Sequence, residues 1–408
     1  MKRKSLFKNV VISAAALITV SAVIYSCKKN VQNENPDLAG ASFFTEMKSV
    51  TPSAIEISAY QVELSFKRDK NSDRTIPTAF ELNMPGGKNY QVAITSKSKG
   101  FGGVDIYVGT VKDDLAKGPA SKMRNFTLID DPKNNTVFAD FSVDKVNYTL
   151  SKRDDNTFRL SAIKPVERND KDAIPASSSA KQATTELAVA SGELCDGIYI
   201  IDLYVGYSNQ AVASIGAGNL TAYANDMVAS VNNGLANSLV DNVRVRLVGT
   251  GTNPNNPGVV PAALDNGPTW FASGVASTGA DLLCLVQQPT NAPGSAGGYG
   301  NMPGWVAVAG ANWTTVYRHE IGHNLGSNHC EPGIRPYAAG YDNGHWATHM
   351  CNNSVNYYSN PDVQDDQGRP LGNANTANNA RLWRERAAEM SGRAAHVLPF
   401  TDCSSSRQ

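Results

Sequence analysis

The sequence predicts an α/β (α+β) fold with a mostly parallel twisted sheet and helices, preceded by an all-β N-terminal domain. Between Ala54 and Ile163, apolar residues recur at every second position in short runs broken by turn residues, the signature of half-buried strands. From Ile198 onward, buried-type strands instead alternate with segments of helical period, the order of βαβ units with right-handed crossovers. A third observation is a histidine-rich helical stretch, His319 to His329, set after the last of those strands.

Taken from the start, Met1-Lys2-Arg3-Lys4 is a basic region and Val10 to Ser26 an apolar one, which together read as an export signal over residues 1–27. The apolar run ends Ile24-Tyr25-Ser26-Cys27, a loose lipobox that makes Cys27 the candidate for lipidation. Ordinary cleavage nearby, or retention as an anchor, are the alternatives. Each places the rest of the chain outside the cytoplasm, as a bacterial outer-membrane or cell-surface lipoprotein or as a secreted protein. Residues 28–52 are polar and Asn-rich and read as a tether.

Residues 53–171 carry the predicted strands: Phe80, Leu82 and Met84 before the turn Pro85-Gly86-Gly87, then Tyr90, Val92 and Ile94, then Val104, Ile106 and Val108. Val137 to Val143, Val146 to Leu150 and Phe158 to Leu160 continue the series, with Asp154-Asp155-Asn156 as a hairpin turn. This half has no histidine and, after Cys27, no cysteine, so it offers no catalytic constellation. Residues 172–194, rich in Ser, Ala and Thr, read as a linker or activation segment exposed to proteases.

In residues 195–408, Ile198 to Val205 suits a buried strand. Thr221 to Val240 follows as a helix whose Tyr223, Met227, Val231, Leu235 and Leu239 form one apolar stripe. Val243 to Val248 and Ala280 to Val286 are further strands, with a short helix between them over Pro268 to Ser277. A glycine-rich loop, Gly294 to Gly304, leads into Trp305 to Ala309. Thr314 to Leu325 and Thr376 to Arg393 are predicted helices.

The stretch His319-Glu320-Ile321-Gly322-His323-Asn324-Leu325-Gly326-Ser327-Asn328-His329 matches HExxHxxGxxH at every specified position. Histidines four apart on a helix share one face, so His319 and His323 can address one ion. Gly326 lets the chain leave the helix at positive φ, which brings His329 round as a third ligand. Three ligands leave a position for water, the arrangement of a catalytic zinc, and Glu320 stands beside it as general base. On these residues the chain resembles the metzincin clan of zinc peptidases. Ala347-Thr348-His349-Met350-Cys351 supplies the clan's methionine turn, with Met350 beneath the metal. Tyr358-Ser359-Asn360-Pro361-Asp362-Val363 is similar to the bacterial reprolysin-like and peptidyl-Asp metallopeptidase group, over roughly Gly197 to Ala395. Two positions depart from the clan: Asn352 stands where some members have a tyrosine, and Cys330 where reprolysins have an aspartate.

The resemblance implies a metzincin catalytic domain with a mixed, mostly parallel twisted sheet and an active-site helix. It implies a single Zn²⁺ ion, a peptide or protein substrate, and hydrolysis by zinc-activated water with Glu320 taking and returning the proton. Trp305 to Ala309 is then the antiparallel edge strand to which an extended substrate pairs. Residues 53–171 become a propeptide covering the cleft, or alternatively a permanent β-sandwich binding module. Latency in the clan often uses a cysteine or aspartate on the metal. Cys195 is the nearby thiol, and Phe101-Gly102-Gly103-Val104-Asp105 is only a faint match to an aspartate switch. The alternative to a peptidase is a non-catalytic zinc-containing surface lipoprotein that binds a ligand through its N-terminal β domain.

Cys330 follows a ligand and Cys351 follows the turn methionine, so both converge on the metal and form the first choice of disulfide, in keeping with an oxidising compartment. Cys284 reads as a buried thiol, and Cys195 with Cys403 as the remaining pair. Arg335, the one arginine or lysine between His329 and Met350, is the candidate for lining the substrate pocket, against the plain reading of a surface loop. His345 and His349 are assigned near the ligands or to the surface. Asp362, Asp365 and Asp366 before Gly368 lack a complete calcium-loop pattern, so a polar turn is preferred to a calcium site. With 37 basic and 37 acidic residues the formal charge is zero, and no basic patch supports a nucleic-acid partner. Membrane contact is expected only through the N-terminal lipid, and a monomer is expected.

Overall fold

In the computed structural model, alternation of buried and exposed residues over 44–163 produces nine strands, each paired antiparallel with its neighbours. The structure describes residues 41–66, 74–113, 123–153, 155, 157–166, 171–176, 194–289 and 296–399. The export signal, Cys27 and Cys403 lie outside them. The strands are β1 (Phe44–Val50), β2 (Glu56–Leu64), β3 (Ala79–Met84), β4 (Lys88–Lys99), β5 (Asp105–Asp113), β6 (Asn125–Asp131), β7 (Thr136–Val143), β8 (Val146–Lys152) and β9 (Phe158–Ile163). Their order in the sheet is β1-β2-β9-β8-β7-β6-β5-β4-β3.

The two ends of this sheet come back together. Phe43 donates its N–H to the Glu81 carbonyl at 2.7 Å and Glu81 donates to Ala41 at 3.0 Å, which leaves the sheet nearly a closed barrel. Closure shields strand edges that would otherwise template unwanted pairing. Its interior is filled by Phe43, Phe80, Phe126, Phe141, Leu82, Leu128, Leu150 and Leu160. The expected tether therefore gives way at Phe44, where the chain has already entered a strand.

Strand β6 is buried at six consecutive positions, Phe126 to Asp131, rather than at alternate ones. One face looks into the barrel and the other against a helix of the second half, α2 (Leu220–Asn237), which has a run of buried residues from Ala222 to Ala229. The sequence shows one apolar stripe on α2, but a second face is covered as well. Small alanines and the hydrogen-bonded Asn219 and Asn225 make that second face compatible with burial.

The second sheet runs β10-β15-β16-β14-β12-β11, with β13 also on β12. These strands are β10 (Ala173–Ile174), β11 (Leu194–Cys195), β12 (Ile198–Ser208), β13 (Val243–Asn253), β14 (Leu282–Gln287), β15 (Gly298–Asn301) and β16 (Val306–Gly310). Helix α1 (Asn209–Ile215) begins where Ser208 accepts a hydrogen bond from the Ala211 N–H at 3.1 Å, and α3 (Pro261–Trp270) opens on a proline that needs no donor there. Helices α4 (Ala272–Thr278), α5 (Tyr317–Leu325) and α6 (Asn379–Ser391) follow, with the short pair β17 (Asn360–Gln364) and β18 (Pro370–Leu371) between the last two. No helix among the described residues is long and apolar enough to cross a membrane.

This overturns the expected fold class of a mostly parallel α/β domain with an all-β module set ahead of it. Antiparallel pairing dominates, the larger sheet is nearly a barrel, helices are few, and Asp37–Gln408 is one compact unit. Ile129 and Phe138 of the first sheet, and Val104 just before β5, belong to the same core as Tyr223, Leu203 and Val286 of the second half. The strand at 305–309 is also placed differently. Strand β16 runs parallel to β14, and the antiparallel strand is β15, inside the stretch read as a loop.

Candidate metal centre

Helix α5 carries His319 and His323 on one face, with ring centroids 4.8 Å apart and Nε2 atoms 3.2 Å apart. Gly326 closes the helix at φ 101°, and the chain turns back so that the His329 ring lies 4.9 Å from His323 and 5.2 Å from His319. Two carbonyls orient the helix-borne rings. The His319 Nδ1 is 2.6 Å from the His349 oxygen and the His323 Nδ1 is 2.9 Å from the Ser327 oxygen. Because a carbonyl only accepts, each Nδ1 carries the proton and each Nε2 is left as a free lone pair facing the centre.

A fourth group, absent from the sequence expectations as a ligand, meets these three. Asp172 Oδ1 lies 3.1 Å from His323 Nε2 and 2.7 Å from His329 Nε2, and its Oδ2 lies 3.7 Å from His319 Nε2. Asp172, His323 and His329 are buried and His319 is largely so, and one donor atom from each lies within 4.8 Å of the others. The four form a cluster that could hold a metal ion. Donors about 2.0–2.1 Å from a tetrahedral ion stand about 3.3 Å from one another, close to the separations here. His329 Nε2, moreover, faces its carboxylate oxygen without a hydrogen bond of acceptable alignment, the relation of two ligands to one cation.

Burial raises the Asp172 carboxyl, but the three imidazoles facing it, His319, His323 and His329, outweigh that and hold the group well below the ordinary carboxylate range. Burial pushes His323 down to about 4. Glu320, 1% exposed, is pushed well above the usual range by burial first and by the negative charge of Asp172 second. Its Oε2 has no hydrogen-bond partner, and a Cβ placed on Gly298 of β15 would stand 2.5 Å from its Oε1. Strand β15 thus walls the centre on the Glu320 side.

Asp172 is brought in by backbone pairing. Gly300 donates to its carbonyl at 3.0 Å and Met302 to the Ile174 carbonyl at 2.7 Å, so β10 lies along β15 in parallel register. The only sequence signal for it was position, at the start of the segment between the last barrel strand and the second half. Asp105, the faint aspartate-switch match, is instead buried in the barrel wall beside Lys97 and Lys99.

Met350 packs directly beneath α5, so that a Cβ on Gly322 would collide with its sulfur. Cys330 and Cys351 form a disulfide with Cα atoms 5.0 Å apart, tying the residue after His329 to the residue after Met350. Cys284 is a buried free thiol, and Cys195 is disulfide-bonded. Arg335 is exposed, so it lines no buried pocket in this conformation, and His345 is exposed while His349 is buried. Asp365 accepts hydrogen bonds from Arg369, Gln367 and Asn343, which makes the acidic stretch a closed turn.

A buried arginine, Arg318, stands one residue before His319. Its Nε donates to Asn353 Oδ1 at 2.7 Å, and Asn353 in turn donates to the Thr315 carbonyl at 2.8 Å. Burial lowers Arg318 to about 10, against the opposing pull of Asp140 and Asp226. Asp140, from β7 of the barrel, accepts a hydrogen bond from the Thr314 hydroxyl just ahead of α5.

No family model matches this chain, and no curated protein matches it. A solved structure described as that of a chaperone–substrate complex is similar at 17% identity and a TM-score of 0.44, over 65% of this chain. The match spans 40% of that structure's own length, and a likeness this slight carries no functional inference.

Proposed function

We propose that this chain is an exported zinc-dependent endopeptidase held in a latent form. The observation that carries the reading is the convergence of His319, His323 and His329 with the buried, unpartnered Glu320 beside them. The HExxHxxGxxH register and the packing of Met350 under α5 support placing the chain with the metzincin peptidases in chemistry. Zinc bound there would acidify water and polarise a peptide carbonyl. The three histidines hold Nε2 toward the centre through their Nδ1 or loop anchoring, and Glu320 takes a proton at its carboxylate and passes it to the leaving amine. Asp172 occupies the remaining place, so substrate cannot reach the centre while β10 lies on β15.

A second reading rests on the same four donors. Sites closed by four protein ligands are structural, so the chain could instead be a non-catalytic, zinc-containing surface lipoprotein. Peptide-library cleavage by the purified, zinc-loaded full chain carrying Asp172→Ala, beside the same chain with Glu320→Ala added, separates the two. We expect new cuts that fall by at least about a thousandfold when Glu320 is removed, the scale of a lost general base with its electrostatic role. A zinc-loaded Asp172→Ala chain that cuts nothing would turn the assignment to the structural site.

A further inference from the structure

We propose that the barrel is a docked inhibitor that stays bound after the chain is cut between Ala176 and Leu194, so that cutting and release are separate steps. The inhibitory half of this statement rests on the peptidase reading above; the docking half does not. If Asp172 and β10 were the whole of the contact, two backbone hydrogen bonds and one carboxylate would hold them, and a cut would let them fall away. The contact is far larger.

Across the second face of α2, the Asn225 side chain accepts from the Phe101 N–H and donates to the Phe101 carbonyl, both at 3.0 Å. Asn219 donates to the Lys152 carbonyl at 2.7 Å and accepts from the Thr136 hydroxyl at 2.8 Å. Between these polar clamps, the Phe138 ring meets Tyr223 edge-on at 5.6 Å, and Val104 and Ile129 enter the same core. Tyr223 is 1% exposed, Asn219 and Asn225 2% each. Lifting the barrel off would bare all three, with Asn219 and Asn225 losing partners as apolar surface is wetted.

A third zone lies at the start of α5, where Asp140 meets Thr314 beside Arg318. None of these contacts belongs to residues 177–193, so severing that stretch leaves every one in place. The surface on α2 and ahead of α5 is therefore an interface whose partner is this chain's own barrel, covalently joined or not.

The test uses the full chain with a recognition sequence for a site-specific protease inserted between Ala176 and Leu194. The protein is loaded with cobalt(II), whose visible bands report the ligand set, then cut and examined by size-exclusion chromatography. We expect the two pieces to elute together with the cobalt spectrum of the uncut chain. Peptide cleavage should stay at or below about one-tenth of that of the stripped form, as a docking Kd of roughly one-hundredth of the protein concentration gives by mass action. The same cut made in a Phe138→Ala, Asn225→Ala chain should release the barrel and shift the cobalt bands. Separate elution of the unaltered pieces, with the spectrum already shifted, would overturn the proposal. Pieces that stay together, yet yield no cleavage once stripped, would leave the docking standing and remove the peptidase reading.

Discussion

His319 and His323 each direct an Nδ1 proton to a main-chain oxygen, of His349 and of Ser327, and those oxygens belong to the segments that the Cys330–Cys351 bond and Met350 hold in place. Residue-scale electrostatics acts in the barrel too. Glu56 of β2 would be raised by burial, but Arg159, Ser161 and the Ser53 N–H outweigh that and hold it at about 2, below its usual 4.5. A carboxyl depressed on folding stabilises the folded state above its unfolded pKa and loses that contribution as pH falls through the folded one. Urea midpoints of the native chain should therefore fall between about pH 4.5 and 2 through this group, and Glu56→Gln should flatten that part of the profile. An unchanged profile would remove Glu56 from the acid response.

At the scale of elements, the disulfide closes a loop with a sequence separation of 21 that begins just after His329 and contains Met350. In the chain-entropy model such a closure stabilises by about 3 kcal/mol. The paired substitution Cys330→Ser, Cys351→Ser should lower the melting temperature and weaken metal retention under a chelator, with far-ultraviolet circular dichroism unchanged. A melt identical to that of the native chain would show that the loop is held by packing alone. What was legible at this scale followed from contiguity. Three histidines and Glu320 fall within eleven letters, and a helix with a glycine stop is enough to gather them. Asp172 lies 151 residues before His323 and reaches it only because β10 pairs with β15, itself hidden among glycines that read as a loop. Gly298 and Gly300 leave no room for a Cβ because β15 runs against Glu320.

For the molecule as a whole, the period-2 runs of 54–163 announced strands but not what their outer faces meet. Burial of Phe126 to Asp131 on both faces is a tertiary fact, and Asn219 and Asn225 read as ordinary helix polar residues until Phe101 and Lys152 arrive. That is why the expected, mostly parallel fold class gives way to one in which a nearly closed antiparallel sheet dominates.

The contact of Asp140 with Thr314 has a consequence for protons. Burial raises the Asp140 carboxyl, with the Thr314 hydrogen bond and Arg318 pulling the other way; Asp226, also raised by burial first and by Asp140 second, shares the same arginine. Two acids thus face one guanidinium, and the surplus carboxyl is favoured in its protonated form. A group raised on docking stabilises the docked state at low pH and loses that contribution as pH rises through its docked value. Rebinding of the stripped barrel should then take up protons at pH above the ordinary carboxyl range, and calorimetric heats measured there should differ between buffers in proportion to their ionisation enthalpies. With Asp140→Asn the buffer dependence should shrink, and acid surroundings would favour the closed protein while neutral or alkaline ones loosen it.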